Sequence, residues 1–176
     1  MKFTELELPG VYRIEIEPIV DERGFFARSF CRREWEARGL NPCIAQCNIS
    51  RNDRRGTLRG MHYQADPHAE AKLIRCTRGR VFDVVIDLRA ASPTFARWVS
   101  VELSSEEPRM LYVPEGCAHG FQTLADDTEV FYLMSAFYEP EAARGVRWDD
   151  PLFDIPWPLP VSVISVRDRT YPLFRP

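Results

Sequence analysis

The segment RVFDVVIDLR, residues 80–89, gives the clearest indication of how this chain folds. Apolar side chains recur along it at every second position. In an extended strand, one face would carry Phe82, Val84, Ile86 and Leu88. Valine, isoleucine and phenylalanine also favour strands. The segment is therefore predicted to be a β-strand with an apolar face packed in a core.

Similar runs flank this segment on both sides. Residues 13–17 and 98–103 alternate, and residues 128–135 share one face among Thr128, Val130, Tyr132 and Met134. Turn signals separate the runs, at residues 21–24, 77–79, 91–93, 114–116 and 125–127. The one clear helix is predicted at residues 32–38, ended by Gly39. Many short strands with regular turns predict an all-β sandwich, jelly roll or barrel.

Length and composition indicate an ordinary globular protein. The chain has 176 residues, which favours a single domain over residues 1–176 with a core that needs no disulfide or metal. The net charge of −3 argues against a general nucleic-acid binder. No stretch approaches the roughly 20 apolar residues of a membrane span, and the first residues, MKFTELELPG, do not resemble a secretory signal. We therefore expect a cytoplasmic protein that binds neither nucleic acid nor membrane.

The segment at residues 150–160 has a different character from the rest of the chain. Its four prolines exclude a central strand, and it is too apolar for a free tail. We expect an extended arm that packs on the barrel or on a partner subunit. This arm and the N-terminal strand region, residues 5–17, are the candidates for crossing between subunits.

Cysteine and histidine residues give little support to a metal site. The odd set of cysteines contains no C-x-x-C pair and is read as reduced thiols: Cys31, Cys43, Cys47, Cys76 and Cys117. The three histidines are His62, His68 and His119, without the H-x-H or H-x-x-x-H spacing of close ligands. Nucleotide-cofactor and P-loop motifs do not occur either. Acid–base chemistry without a cofactor is the kind of activity that remains.

Several polar residues allow both a structural and a functional interpretation. The basic residues near the strands could line a cleft for an anionic ligand such as a diphosphate, or stand on solvated strand edges: Arg23, Arg59, Lys72, Arg75, Arg78 and Arg80. Tyr132 could be a core residue or a proton donor. Asp168 would orient a histidine if it lay beside one, and would otherwise be a surface residue.

An ordered series of motifs covers nearly the whole chain and resembles one family. These motifs are DERGFF (21–26), QCNIS (46–50), GTLRGMHYQ (56–64), AKLIR (71–75), GRVFDV (79–84), PEGCAHGF (114–121), the strand of Tyr132, and SVRD (165–168). In this order and spacing they are similar to the dTDP-4-dehydrorhamnose 3,5-epimerases. The resemblance implies a cupin-like jelly-roll barrel with one or two short peripheral helices.

The resemblance also implies a homodimeric enzyme without metal or cofactor, acting on a dTDP-4-keto-6-deoxyhexose. By this resemblance His62 is the base at C3 or C5, oriented by Asp168, and Tyr132 is the acid on the other face. Lys72 steadies the enolate at O4. The implied substrate contacts are Arg23, Gln46, Asn48, Arg59, Lys72, His119, Tyr138 and Arg167.

The chain departs from the family pattern at Arg28, Cys47 and Ala143, where polar or acidic residues are usual. These departures leave open a 3-only or 5-only epimerase of a related nucleotide-linked 4-keto sugar. Two alternatives belong to other classes. One is a metal-dependent cupin that uses all three histidines, and the other is a sugar-nucleotide binding module without catalysis.

Overall fold

A computed structural model describes residues 1–175 of the chain; Pro176, the last residue of the predicted domain, lies outside the described residues. The elements run in the order β1 (Lys2–Glu5), β2 (Tyr12–Glu15), β3 (Ile19–Asp21), β4 (Gly24–Phe26), α1 (Arg32–Glu36), β5 (Gln46–Asn52), β6 (Thr57–Gln64), β7 (Lys72–Arg78), β8 (Arg80–Asp87), β9 (Trp98–Ser104), β10 (Arg109–Val113), β11 (Cys117–Thr123), β12 (Thr128–Met134), β13 (Ala143–Gly145), β14 (Val163–Ile164) and α2 (Val166–Thr170). The strands predicted near residues 13–17, 80–89, 98–103 and 128–135 are all present.

The strands form two large sheets that pack face to face. The first sheet has the order β1-β2-β10-β7-β12-β5, and the second has the order β13-β6-β11-β8-β9, with β14 also paired to β6. All pairs are antiparallel except β14 with β6. Side chains of both sheets meet in one buried cluster that includes Ile74, Leu111 and Val130 from the first sheet and Val81 and Val85 from the second. The predicted jelly-roll architecture is confirmed.

A second buried cluster covers the other face of the first sheet. Leu73 and Met110 point into it, because strand side chains alternate between faces. Helix α1 contributes the indole of Trp35, which is 1% exposed. The predicted helix is therefore confirmed, although it ends two residues earlier than expected. No helix among residues 1–175 has the length and apolar character needed to cross a membrane.

The proline-rich arm covers the other face of the second sheet. Phe153 and Trp157 pack there with Val84 and Ile86. The Trp157 indole donates a hydrogen bond to the Trp148 carbonyl at 2.9 Å. The arm thus packs on its own barrel, and strand β8 is buried on both faces rather than on the single face that its sequence predicts.

The β3–β4 hairpin remains uncovered. It forms its own two-stranded sheet, and its apolar side chains are 58–76% exposed: Ile19, Val20, Phe25 and Phe26. Exposed apolar side chains in such a group are typical of a protein contact surface.

Candidate active site

One cavity of about 480 Å³ lies at the junction of the two sheets, within the size range of small-molecule sites. Strands β5, β7 and β12 supply one wall, and strands β6 and β11 supply the other. Nine of the residues predicted from the sequence line it: Gln46, Asn48, Arg59, His62, Lys72, His119, Tyr132, Tyr138 and Arg167. Asp168 lies directly behind His62. The fold therefore brings together residues that are up to 122 positions apart in the chain.

The His62 imidazole is held by the carboxylate of Asp168. The distance from His62 Nε2 to Asp168 Oδ1 is 2.7 Å. The side chain of His62 is 41% exposed, whereas that of Asp168 is only 6% exposed. With Nε2 bonded to the carboxylate, Nδ1 is the nitrogen left free to accept a proton in the neutral ring. The pair is thus an accessible base backed by a buried carboxylate.

Helix α2 places Asp168. Ser165 caps this helix, and its Oγ accepts a hydrogen bond from the Asp168 amide at 3.0 Å. The Gly60 amide donates to Asp168 Oδ2 at 3.3 Å. Burial by itself raises the pKa of Asp168, but hydrogen bonds and charge from His62, with the Gly60 amide, lower that pKa overall. The carboxylate therefore stays ionised and fixes the orientation of the His62 ring through their hydrogen bond.

A second histidine–aspartate pair lies beside the first. His119 is paired with His62 across strands β11 and β6, and its Nε2 lies 2.7 Å from Asp83 Oδ1. The side chain of His119 is 11% exposed, and that of Asp83 is fully buried, which raises the pKa of this carboxyl. The less accessible His119 is therefore the weaker candidate for the base. Asp83 was not singled out from the sequence, because the sequence of its strand does not show that its carboxylate will lie beside His119 in the fold.

Lys72 is a buried cation at the inner end of the site. Its side chain is 7% exposed, and its Nζ lies 2.8 Å from Glu70 Oε1. The same Nζ donates to the backbone carbonyl of His62 at 3.2 Å. Glu70 also lines the cavity and was missed from the sequence. Its position two residues before Lys72 was the only available signal.

Tyr132 faces the cavity from the wall opposite His62. It lies on β12 of the first sheet, whereas His62 lies on β6 of the second. Its ring packs against the core cluster between the sheets. Burial raises the pKa of the Tyr132 phenol, Arg59 lowers it and Glu70 raises it, with a net increase. The hydroxyl is therefore protonated at neutral pH and can donate a proton.

The cavity lining is cationic. The lining includes one carboxylate, that of Glu70, and five cationic side chains, those of Arg51, Arg59, Lys72, Arg144 and Arg167. Asn52 Oδ1 accepts a hydrogen bond from Arg59 Nε at 2.7 Å, and the Tyr138 hydroxyl accepts one from Arg167 at 3.4 Å. This charge distribution suits an anionic ligand such as a diphosphate. Arg51 and Arg144 were not expected from the sequence.

The structure separates the basic residues that the sequence grouped together. Of those six, Arg59 and Lys72 line the cavity, and the remaining four do not. Arg78 and Arg80 are exposed, and Arg75 is half-buried. Arg23 lies at the turn of the β3–β4 hairpin, where it pairs with Asp21. Arg23 is thus not brought to the cavity of its own chain.

The three histidines do not converge on one point. His68 is exposed in the loop after β6, whereas His62 and His119 each pair with an aspartate. Among residues 1–175, no three His, Cys, Asp or Glu side chains are arranged to hold a metal ion. The ligand set of the three-histidine alternative is therefore not formed.

The five cysteines are free, as predicted. Cys47 is exposed on β5 and does not line the cavity. Arg28 is exposed and lies 3.7 Å from Glu34, whereas Ala143 lines the cavity. Of the three departures from the family pattern, only Ala143 changes the wall of the cavity within this chain.

Comparisons with known proteins agree with this geometry. The family model described as dTDP-4-dehydrorhamnose 3,5-epimerase matches residues 5–176. The chain is 43% identical to the Shigella flexneri protein of that name, over 96% of this chain and 93% of that one.

Two solved structures have nearly the same fold. The Bacillus anthracis dTDP-4-dehydrorhamnose 3,5-epimerase with TDP and PPi bound has a TM-score of 0.95 and 38% identity, covering 98% of this chain and 99% of that one. The Legionella pneumophila epimerase in complex with dTDP-4-keto-L-rhamnose has a TM-score of 0.91 and 37% identity, covering 98% and 92%. The chain belongs to the dTDP-4-dehydrorhamnose 3,5-epimerase family.

Proposed function

We propose that this protein epimerises C3 and C5 of a dTDP-linked 4-keto-6-deoxyhexose through an enolate, as a dTDP-4-dehydrorhamnose 3,5-epimerase. The observation that carries the proposal is the placement of His62 and Tyr132 on opposite walls of one cationic cavity. Inversion requires a base on one face of the reacting carbon and an acid on the other. The 4-keto group already acidifies the neighbouring C–H bonds, so the side chains need to move only protons.

In the first step, His62 removes the proton from the carbon next to the carbonyl. The imidazolium that forms is stabilised by Asp168, 2.7 Å away. Negative charge then develops on O4 of the sugar. The buried ammonium of Lys72 is the group that stabilises this charge, in a setting where electrostatic interactions are stronger than in water.

In the second step, Tyr132 delivers a proton to the opposite face of the planar carbon. The raised pKa of its phenol keeps the proton in place until the enolate forms. The phenolate and the imidazolium then exchange protons with water through the open cavity. A cycle at each of the two carbons gives the double epimerisation.

The remaining lining residues serve binding. Arg59 and Arg167 are suited to the diphosphate, because guanidinium groups bind its oxygens in pairs. Tyr138, with half of its surface exposed, offers a ring to the nucleotide base. The polar side chains available to the sugar and the base are those of Gln46, Asn48 and His119.

We infer that the working form is a homodimer in which Arg23 reaches the cavity of the partner. The exposed β3–β4 hairpin carries Arg23 at its turn, and the open edge of strand β5 lies beside the cavity. Light scattering is expected to give twice the 20.4 kDa chain mass. The substitution Phe26→Asp should shift the mass to that of one chain. A monomeric wild type would contradict this assembly.

We also infer a single catalytic domain over residues 1–176 in a reducing compartment such as the cytoplasm. The exposed free thiols of Cys43 and Cys47 support this location, because oxidising compartments favour disulfide formation.

The test of the proposed function is proton NMR in D₂O with dTDP-4-keto-6-deoxyglucose. Deuterium is expected to enter at both C3 and C5, with the inverted product trapped by a reductase. Exchange at one carbon alone would narrow the activity to a single epimerisation. Absence of exchange at both carbons would contradict the proposal.

A further inference from the structure

Glu70 is a buried carboxylate in the cavity wall that the mechanism above does not use. Its side chain is 5% exposed, and only one of its oxygens is accounted for, by the 2.8 Å contact with Lys72. The other oxygen, Oε2, is buried and has no hydrogen-bond partner among residues 1–175. Burying a carboxylate oxygen without a hydrogen-bond donor costs free energy of folding. An unsatisfied acceptor in a ligand cavity is explained if the ligand supplies the donor.

The contacts of Lys72 indicate which part of the ligand lies there. An ammonium group has three N–H donors. Two of them are directed at Glu70 Oε1 and at the His62 carbonyl. The third is left for an acceptor in the cavity, and the carbonyl oxygen of the substrate is the acceptor that the proposed reaction requires. Glu70 Oε2 then lies beside the position of that carbonyl.

We propose that Glu70 is a substrate-binding residue that accepts a hydrogen bond from the hydroxyl next to the carbonyl held by Lys72. The inference rests on the proposed function and deepens it, since it names the chemical group of the substrate that this site recognises. Lys72 can only donate and an ionised Glu70 can only accept. Together they recognise a ketone with a hydroxyl on the adjacent carbon.

In a 4-keto-6-deoxyhexose this feature occurs on one side of the carbonyl only. C3 carries a hydroxyl, whereas C5 carries the ring oxygen and the methyl group. The contact therefore fixes which way round the sugar enters, with C3 toward Glu70. A sugar bound in the reversed orientation would leave the buried carboxylate oxygen without a hydrogen bond, and this orientation would therefore bind much more weakly.

The experiment compares two substrates on each enzyme variant. Deuterium exchange next to the carbonyl is measured with dTDP-4-keto-6-deoxyglucose and with its 3-deoxy analogue. The wild type should exchange the 3-deoxy analogue about 10- to 100-fold more slowly in kcat/KM, the effect of losing a hydrogen bond to a buried charged group. In Glu70→Gln and Glu70→Met, this preference should fall below about threefold.

The preference is a ratio within one protein preparation, so a reduced folded fraction cancels from it. Glu141→Gln is the matched control, because this exposed glutamate is near the cavity rim without lining it, and it should keep the wild-type preference. A preference that is equally large in both Glu70 variants and the wild type would overturn the inference. A wild type that exchanges both substrates equally would also overturn it. No exchange by the wild type would contradict the proposed function itself, so the two failures are distinguishable.

Discussion

At the scale of single residues, the two histidine–aspartate pairs differ in access rather than in geometry. Both have an Nε2–Oδ1 distance of 2.7 Å, but the His62 ring is 41% exposed and the His119 ring 11%. A base must reach a C–H bond of the substrate, whereas a buried ring mainly supports the wall. The pairs therefore have separable roles.

The substitution His62→Ala should lower the rate of deuterium exchange by about 10³-fold, the usual contribution of a general base. The fold should survive, because the ring is only partly buried and the Asp168 carboxylate keeps the hydrogen bond from the Gly60 amide. His119→Ala should instead lower the melting temperature, since it leaves the buried Asp83 without its partner. Exchange rates and thermal unfolding of both variants check this. Wild-type exchange in His62→Ala would contradict the assignment of the base.

The amino-acid sequence predicts part of this residue-level description and not the rest. His62, Tyr132 and Lys72 stand in recognisable motifs, so the order of residues alone identifies them as candidates. Asp83 and Glu70 do not stand out, because an acid becomes informative only when its burial and its partner are known. Arg23 also belongs to a motif, but the distance of its hairpin from the cavity depends on the fold.

At the scale of elements, the five-residue helix α2 positions Asp168 beside His62. Its N-cap, Ser165, bonds the amide of Asp168, and β14 just before it pairs with Thr57 and Leu58 of β6, the strand of His62. The family resemblance implied one or two short helices, but the sequence pattern did not locate this one, because five residues are too few to show a helical period. Strand β8 was predicted well, but its second buried face depends on the arm, which pattern alone does not place.

The substitution Ser165→Ala removes this cap and should destabilise the helix by about 1 kcal/mol. If Asp168 is thereby loosened, kcat should fall about fivefold, the rate equivalent of that energy. Thr170→Ala is the control. Thr170 lies at the C-terminal end of the same helix, where its hydroxyl donates a hydrogen bond to the carbonyl of Val166. Equal effects of the two substitutions on kcat would refute the positioning role of Ser165.

The last residue of strand β8, Asp87, carries a buried carboxylate that accepts hydrogen bonds from the loop that follows. Burial by itself raises the pKa of Asp87, but hydrogen bonds from Arg89, Ser92 and Thr94 lower that pKa far more. A group with a lowered folded-state pKa contributes stability above its unfolded pKa, near 3.9, and loses it as the pH falls through the folded value.

Asp87→Asn should therefore destabilise the protein by about 3 kcal/mol at pH 7, the usual cost of breaking a buried ion pair. The difference from the wild type should shrink progressively below about pH 4, because there the carboxylate takes up a proton in the unfolded wild type while it stays ionised in the folded protein. Urea unfolding between pH 3 and pH 7 measures this. A difference that does not change with pH would show that the charge of Asp87 is not what stabilises the loop.

At the scale of the whole molecule, the jelly roll explains how His62 and Tyr132 come to line opposite walls of one cavity. The two sheets face each other, so strands far apart in sequence supply opposite walls. The chain as a whole is acidic, with a net charge of −3, yet its cavity gathers five cationic side chains. The fold thus gathers positive charge in the cavity, although the chain as a whole carries a negative net charge. Strand alternation predicted the strands of the sheets, but only the packing of the sheets shows which polar side chains line the cavity.

The central claim is that His62 and Tyr132 act on opposite faces of one planar intermediate. The most direct test is to measure exchange and inversion together in Tyr132→Phe, which keeps the ring packed in the core. His62 can still remove a proton and return a deuteron to the same face. Exchange should therefore remain within about tenfold of the wild type, while inversion falls by about 100-fold or more. A loss of exchange and inversion in equal proportion would contradict the two-face arrangement.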